Sequence, residues 1–585
     1  MKFLGNVIAT VIGIFVFIML FFFGVILIGT IFGGEDSVSV KGDSVIELDL
    51  KQIQNDYAGK YKDPWITVFS DKKGIGLTDV INAIEAAKTD DNIKGISILN
   101  DQSSLGLAQY KDLRNALESF KKSGKFVWAY ANTYSQKEYY LNSVANTVYL
   151  NPAGDLDFKG LSSEVMFFKD FQDKSGIHME VIRHGKYKSA VEPFLENKMS
   201  DANREQVTAL LNSIWTTVTN DISKSRNIPV AKLNEIANGL LARTPEMAKA
   251  QHLVDIVAYE DVYHNAIKKA LKVTGDDDYN KISISDYTQN NITTALTNTA
   301  TDQIAIIYAQ GEIQSGEGDV TVIGEGSMRR SLQEARKNED VKAIVLRIDS
   351  PGGSALTSDL IWREIEITKK VKPVVVSMGN YAASGGYYIA CNANKIFAEN
   401  NTITGSIGVF GILPNFSPLA TKLGINTEQV KTHENSANYS PFVPIDEKFK
   451  AFTLEGVENI YNTFVTHVAQ GRKMTFAQVD AIAQGRVWSG TEALKIGLVD
   501  KIGGLNDAIA EAAKIAKVKT YSTQNYPEYD KTFNDLLSNL PFAQSKEAFI
   551  KEEIGEENYQ LIEQVKRFQN QKGVQAILPF GLNIK

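Results

Sequence analysis

The sequence predicts an α/β protein made of two tandem copies of one domain behind an N-terminal apolar span. Three observations carry that expectation. Apolar runs of strand length alternate with stretches of helical periodicity, as in strands separated by helices. Segments of the first half recur in the second half at a constant offset of 248 residues. The run Val7–Phe32 contains no charged side chain, and it is longer than the ~20 residues a helix needs to cross a bilayer.

Taken in order, residues 1–34 read as a retained membrane anchor. The apolar run exceeds the core of a cleaved leader and ends in Ile-Phe-Gly-Gly-Glu-Asp instead of a small-residue cleavage site. Lys2 before the span, with Glu35 and Asp36 after it, points the N-terminus to the cytoplasm and the rest of the chain outside.

The first copy is expected over residues 44–273 and the second over 302–518. Ile93–Asp101 falls on Val341–Asp349, Gly124–Asn132 on Lys372–Asn380, Tyr139-Tyr140 on Tyr387-Tyr388, Gly160 on Gly408 and Pro193-Phe194 on Pro441-Phe442. Leu253-Val-Asp255 resembles Leu498-Val-Asp500 at a slightly changed offset. In the second copy, strands are expected at Ile304–Tyr308, Ala343–Ile348, Val374–Met378 and Lys395–Ala398, and helices at Ser327–Lys337 and Asp359–Lys370. Thr274–Thr301, rich in Asp, Asn and Thr, reads as a linker with one short strand. Residues 519–585 form a C-terminal extension with an amphipathic stretch near Ala548–Phe568 and a closing Ile577-Leu-Pro-Phe-Gly. That extension is expected either to pack on a neighbouring domain or subunit, or to cap its own domain.

Composition narrows the function. At 585 residues, with 43% hydrophobic and 22% charged side chains, the chain has room for two or more domains. A net charge of −7 without a basic block argues against nucleic acid as a partner. Cys391 is the single cysteine, so no internal disulfide forms, and a helix contact is its expected place. The six histidines lack the spacing of metal ligands, so neither a metal nor a cofactor is expected. A histidine-based triad stays open on count alone.

Because the copies align without gaps around Ser384, each serves as a control for the other. Ser384 falls on Gln136, and Gly385-Gly386 on Lys137-Glu138. Pro351-Gly-Gly-Ser354 falls on Ser103-Ser-Leu-Gly106. The hydroxyl and the glycine-rich strand end therefore belong to the second copy alone. Small residues around Ser384 suit either a substrate backbone or a tight packing contact. Glycines at 352, 353 and 385 let a carbonyl oxygen approach main-chain N–H groups, with Gly353 and Gly385 as the expected donors and Gly352 as support.

The reverse holds downstream, where Lys188 falls on Ser436. A lysine beside Ser, Ala and Val is a candidate for burial, which disfavours its charged form and makes it a base. By the comparison it is one candidate among several lysines, most of which are surface charges. Complementary losses of this kind suggest one composite site, a Ser-Lys dyad in which Lys188 takes the proton of Ser384. Ser406, which falls on Phe158, is either the residue that orients the lysine or a turn serine bonding its own backbone.

The motifs Tyr187-Lys-Ser-Ala-Val-Glu-Pro-Phe194, Asp349-Ser-Pro-Gly-Gly-Ser354, Met378-Gly-Asn-Tyr-Ala-Ala-Ser-Gly-Gly-Tyr387 and Ile403-Thr-Gly-Ser-Ile-Gly408 resemble those of the signal peptide peptidase A (SppA) family in its long, tandem-domain form. The resemblance runs from about Ser44 to Val518 and includes the anchor. It implies Clp/crotonase-like domains and a serine endopeptidase with Ser384 as nucleophile and Lys188 as general base. It further implies remnant signal peptides as substrates, a homotetrameric ring with its sites in a membrane-facing bowl, and a place in the bacterial inner membrane with the catalytic domains on the periplasmic side. One departure, Asn380-Tyr381 in place of Gly-Met or similar, is expected to reshape a substrate pocket. Two alternatives stand beside this reading: acyl-CoA chemistry of the crotonase type, and a non-catalytic membrane scaffold.

Overall fold

The computed structural model describes residues 10, 12–17, 20, 39–51, 53, 55–61, 75–99, 103–274, 278–295, 300–437, 439–529 and 575–577. Strands of the first half are Ser44–Leu48 (β1), Lys60–Tyr61 (β2), Ile93–Leu99 (β3), Phe126–Ala131 (β4), Thr147–Leu150 (β5), His178–His184 (β6), Ile256–Val257 (β7) and Lys281–Ser283 (β8). The second half supplies Gln303–Gln310 (β9), Glu312–Gln314 (β10), Val322–Gly324 (β11), Val341–Ser350 (β12), Gly352–Ser354 (β13), Val374–Ala383 (β14) and Lys395–Ala398 (β15). Ile403–Gly405 (β16), Val409–Asn415 (β17), Val487–Ser489 (β18), Lys501–Ile502 (β19), Ser522–Tyr526 (β20), Glu528–Tyr529 (β21) and Gln575–Ile577 (β22) complete it.

Two parallel sheets repeat one another. The first runs β7-β5-β4-β3-β1-β8. The second contains the same order position for position, β19-β15-β14-β12-β9-β20, also parallel. Helices cover the faces, so the central strands are buried on both sides and read as continuous apolar runs.

Hydrogen bonds repeat as well. Tyr139 Oη donates to Leu253 O at 2.8 Å and Tyr387 Oη to Leu498 O at 2.8 Å. Asp255 accepts from Val148 N at 2.7 Å, and Asp500 from Ile396 N at 2.8 Å.

The sheets extend beyond the expected edges of the copies. The stretch read as linker supplies β8 and the helix Ile284–Ala295, and β20 lies past residue 518. Each covers the open edge of the strand that begins its copy, which would otherwise present unpaired backbone groups.

The copies are joined through polar groups at their boundary. Arg347 on β12, in the second copy, is 1% exposed. It donates to Asp56 (2.7 Å) and Asp112 (2.9 Å) of the first copy and to Ser377 Oγ (2.8 Å) of its own. Asn380 belongs to the same boundary. Its Oδ1 accepts from Gln109 N at 3.3 Å and its amide donates to Asp349 at 3.1 Å, while a methyl group on Gly106 would lie 2.2 Å from that Oδ1. Asn380 therefore seats a helix of the first copy.

A third sheet, β11-β10-β13-β22-β17-β6, mixes the copies. β6 of the first pairs antiparallel with β17 of the second over its whole length, from His184↔Val409 to His178↔Asn415. The positions equivalent to β17 in the first copy, 161–167, and to β6 in the second, 426–432, form no strand. Each copy keeps one half of a strand pair, and the pair is completed between them.

Of the expected anchor, Thr10, residues 12–17 and Leu20 are described and are helical. The remainder of that span and the amphipathic stretch near Ala548–Phe568 lie outside the described residues. Among the described residues no helix is long and apolar enough to cross a membrane.

Candidate active site

The nucleophile candidate sits where β14 stops. Ala382 and Ala383 still pair with Thr404 and Gly405 of β16, and Ser384 then turns the chain at φ +54°, ψ −115°, before the helix Gly385–Ala390. A non-glycine residue at such a φ is strained and is held only where its surroundings fix it. Here the Ser384 N–H donates to Gly405 O at 2.8 Å, and the residue is wholly buried.

The lysine arrives from the other copy. Beyond the end of β6, the Tyr187 N–H donates to Gln484 O at 2.8 Å, which anchors the turn on the second copy. Lys188 is 0% exposed, and its Nζ lies within hydrogen-bonding distance of Ser384 Oγ (3.0 Å), Ser406 Oγ (3.0 Å) and Ser406 O (3.3 Å). Desolvation is the cause that pushes its pKa well below the ordinary 10.5. The ammonium form loses its hydration there, and the neutral amine, the form that accepts a proton, is favoured.

Two glycines make room for the lysine stem. At Gly485 (φ +82°) a methyl group would lie 2.7 Å from Lys188 Cα, and at Gly408 it would lie 3.2 Å from Lys188 Cδ. Sequence reasoning missed both as site residues. Their signal was the repeat itself, since Gly408 falls on Gly160, and Ile482-Ala-Gln-Gly485 resembles Ile236-Ala-Asn-Gly239 at the slightly changed offset of 246.

Ser406 has its side chain beside Lys188. Its backbone N–H donates to Arg486 O at 2.7 Å and its hydroxyl lies 3.0 Å from Lys188 Nζ, so the side chain faces the lysine and Ser384.

Gly352, Gly353 and Gly385 converge beside Ser384. A methyl on Gly352 would stand 2.8 Å from Gly385 N, and one on Gly385 would stand 3.2 Å from Gly353 N. The Gly352 N–H donates to Ser350 Oγ at 3.2 Å, so Gly352 contributes backbone room at φ +103°.

The equivalent place in the first copy is filled. Gln136 Oε1 accepts from Gly160 N at 2.8 Å, and Lys137 Nζ donates to Ser103 O and Leu105 O at 3.1 and 2.9 Å. Side chains there take the volume that glycine leaves open beside Ser384.

Among the described residues no histidine is a partner of Ser384, whose Oγ meets Lys188 Nζ and Gly408 O. His184, the histidine nearest Lys188 in sequence, stacks on Tyr461 at 3.9 Å. Cys391 is buried in the second core, its thiol pushed up to about 12 by burial. Among the described residues no group of three or more His, Cys, Asp or Glu side chains is placed to hold a metal ion. A cavity lined by Asp56, Asp112, Arg347 and Leu505 lies at the boundary of the copies, and neither Ser384 nor Lys188 lines it. Asn380, expected to shape a substrate pocket, is committed to the boundary between the copies as described above.

The model of peptidase family S49 matches residues 119–274 and again residues 366–519, once in each copy. The chain belongs to peptidase family S49. Protease 4 of Haemophilus influenzae is 35% identical over 502 residues, 83% of this chain and 81% of that protein. Serine protease SPPA, chloroplastic, of Arabidopsis thaliana is 33% identical over 490 residues, 82% of this chain and 70% of that protein. The putative signal peptide peptidase SppA of Enterococcus faecium is 36% identical over 196 residues, 33% of this chain and 57% of that protein. As an S49 peptidase the chain is a serine protease acting on peptides, and the acyl-CoA and scaffold alternatives fall away.

Proposed function

We propose that this S49 protease is a membrane-anchored endopeptidase that cleaves apolar peptides, remnant signal peptides among them, with Ser384 as nucleophile and Lys188 as general base. The observation that carries the dyad is Lys188 Nζ at 3.0 Å from Ser384 Oγ on a fully buried lysine. A neutral Lys188 accepts the proton as Ser384 Oγ attacks the peptide carbonyl carbon, and the resulting ammonium returns that proton to the leaving amine. Ser406 keeps the amine aimed at the serine. N–H groups of Gly353 and Gly385 hold the oxyanion, and Gly352 leaves it room. Water then attacks the acyl-enzyme with Lys188 again as base.

The substrate class draws support from the name of the Enterococcus faecium relative, a putative signal peptide peptidase, and from the charge-free run Val7–Phe32. That run would tether the site beside a bilayer, in a bacterial inner membrane with the catalytic copies on the periplasmic side. Clp/crotonase-like domains and a homotetrameric ring belong to the same reading.

A serine-directed acylating probe tests it. The purified wild type should gain one probe mass, mapped by peptide mass spectrometry to Ser384, and Ser384→Ala should gain none. Labelling at another serine, with peptide-ester hydrolysis retained in Ser384→Ala, would remove the assignment.

A further inference from the structure

The last described segment of the chain lies in the active site. β22, Gln575–Ile577, is inserted between β13 and β17. It pairs antiparallel with β13, Gly352↔Ile577, Gly353↔Ala576 and Ser354↔Gln575, and it meets β17 at Phe410↔Gln575. A peptide added as a strand between two strands satisfies its backbone on both sides, which is how extended peptides are recognised generally.

Ala576 is at the centre of this arrangement. A methyl group on Gly352 would stand 2.1 Å from Ala576 O, and one on Gly385 would stand 3.1 Å from the same oxygen. The carbonyl thus rests against two of the three glycines beside the nucleophile, in space a side chain on Gly352 would take. Ala576 itself is 0% exposed and Gln575 5%, so the groove closes over a small side chain.

We propose that Gln575–Ile577 is a built-in ligand of this active site, bound in the groove of the substrate with the Ala576 carbonyl at the oxyanion glycines. The inference rests on the Ser384–Lys188 reading above. A tethered strand acts at an effective concentration on the order of millimolar, so a peptide substrate must displace it before it can bind. The ligand class is an extended peptide with a small aliphatic residue at the reacting carbonyl, supplied by the chain itself.

The test compares hydrolysis of a short alanine-rich peptide ester by the full-length wild type and by Ala576→Glu, which cannot bury its side chain in the groove. KM should fall about tenfold with kcat unchanged, as expected when a tethered competitor leaves. Deletion of residues 575–585 provides the same readout if Ala576→Glu does not fold. A synthetic peptide of residues 573–580, added to the tail variant, should inhibit competitively. An unchanged KM in the tail variant, or absent or non-competitive inhibition by the peptide, would overturn the inference while leaving the dyad intact. Ester hydrolysis retained by Ser384→Ala would instead strike the reading of the site itself.

Discussion

Lys188 and Ser384 are 196 residues apart in the chain and 3.0 Å apart in space, and the pairing of β6 with β17 closes that distance. Seven residues of antiparallel register fix where β6 ends, and therefore where the lysine that follows it can reach. A one-residue slip would turn successive side chains to the opposite face. The approach of Lys188 to Ser384 is thus positioned by backbone pairing between the copies, and the side-chain contacts at Ser384 refine it.

Removing the base should separate activity from stability. Lys188→Met is expected to lower kcat about a hundredfold to ten-thousandfold, the usual worth of a positioned general base. Burial lowers the pKa of Lys188 below its ordinary 10.5. Between that lowered value and 10.5 the unfolded chain carries a proton the folded chain lacks, so the lysine's penalty on stability shrinks as pH rises. Thermal unfolding of Lys188→Met should therefore occur above that of the wild type at neutral pH, with the gap closing towards pH 10.5.

The same titration governs turnover. With the neutral amine as the proposed working form, kcat/KM of the wild type should rise with pH through the lowered pKa of Lys188 and then level off. A pH–rate profile that falls over that range would contradict a lysine base.

In the proposed mechanism Ser406 acts through Lys188, whose Nζ lies 3.0 Å from its hydroxyl. Ser406→Ala should reduce kcat about tenfold, in keeping with the loss of one buried hydrogen bond, and leave KM unchanged. Ser406→Thr, which keeps a hydroxyl, should recover part of the loss in the same assay.

Gly485 tests the packing that holds the lysine. With φ at +82° and a methyl position 2.7 Å from Lys188 Cα, Gly485→Ala must push the two segments apart. Destabilisation of about 1–3 kcal/mol in denaturant unfolding is expected from overpacking. Activity should fall further than at a surface glycine such as Gly124, where a methyl meets nothing within 4 Å.

Arg347 tests the union of the copies. Arg347→Met leaves Asp56 and Asp112, which the guanidinium now joins at 2.7 and 2.9 Å, buried without their cation. Loss of about 3–5 kcal/mol is expected, as when one partner of a buried ion pair is removed. Adding Asp56→Asn and Asp112→Asn should restore a large part of it in the same denaturant titration.

By itself, the sequence determined the repeated α/β pattern and the residues each copy keeps. Apolar runs and helical periodicity are local properties, and the fixed offset let Gln136 expose what is special about Ser384. It also marked Lys188 as present in one copy alone, without singling it out among the lysines, because burial is not written in local sequence. Only the tertiary structure decided that. Strand β6 finds its partner in the other copy, a long-range choice made by backbone hydrogen bonding and core packing that no local pattern encodes. The same holds for Asn380, drawn to the boundary of the copies, for Gly485, whose need for glycine comes from Lys188, nearly 300 residues away, and for the tail. Its Gln-Ala-Ile is too short to show a period, and it became a strand because two open strand edges stood beside Ser384.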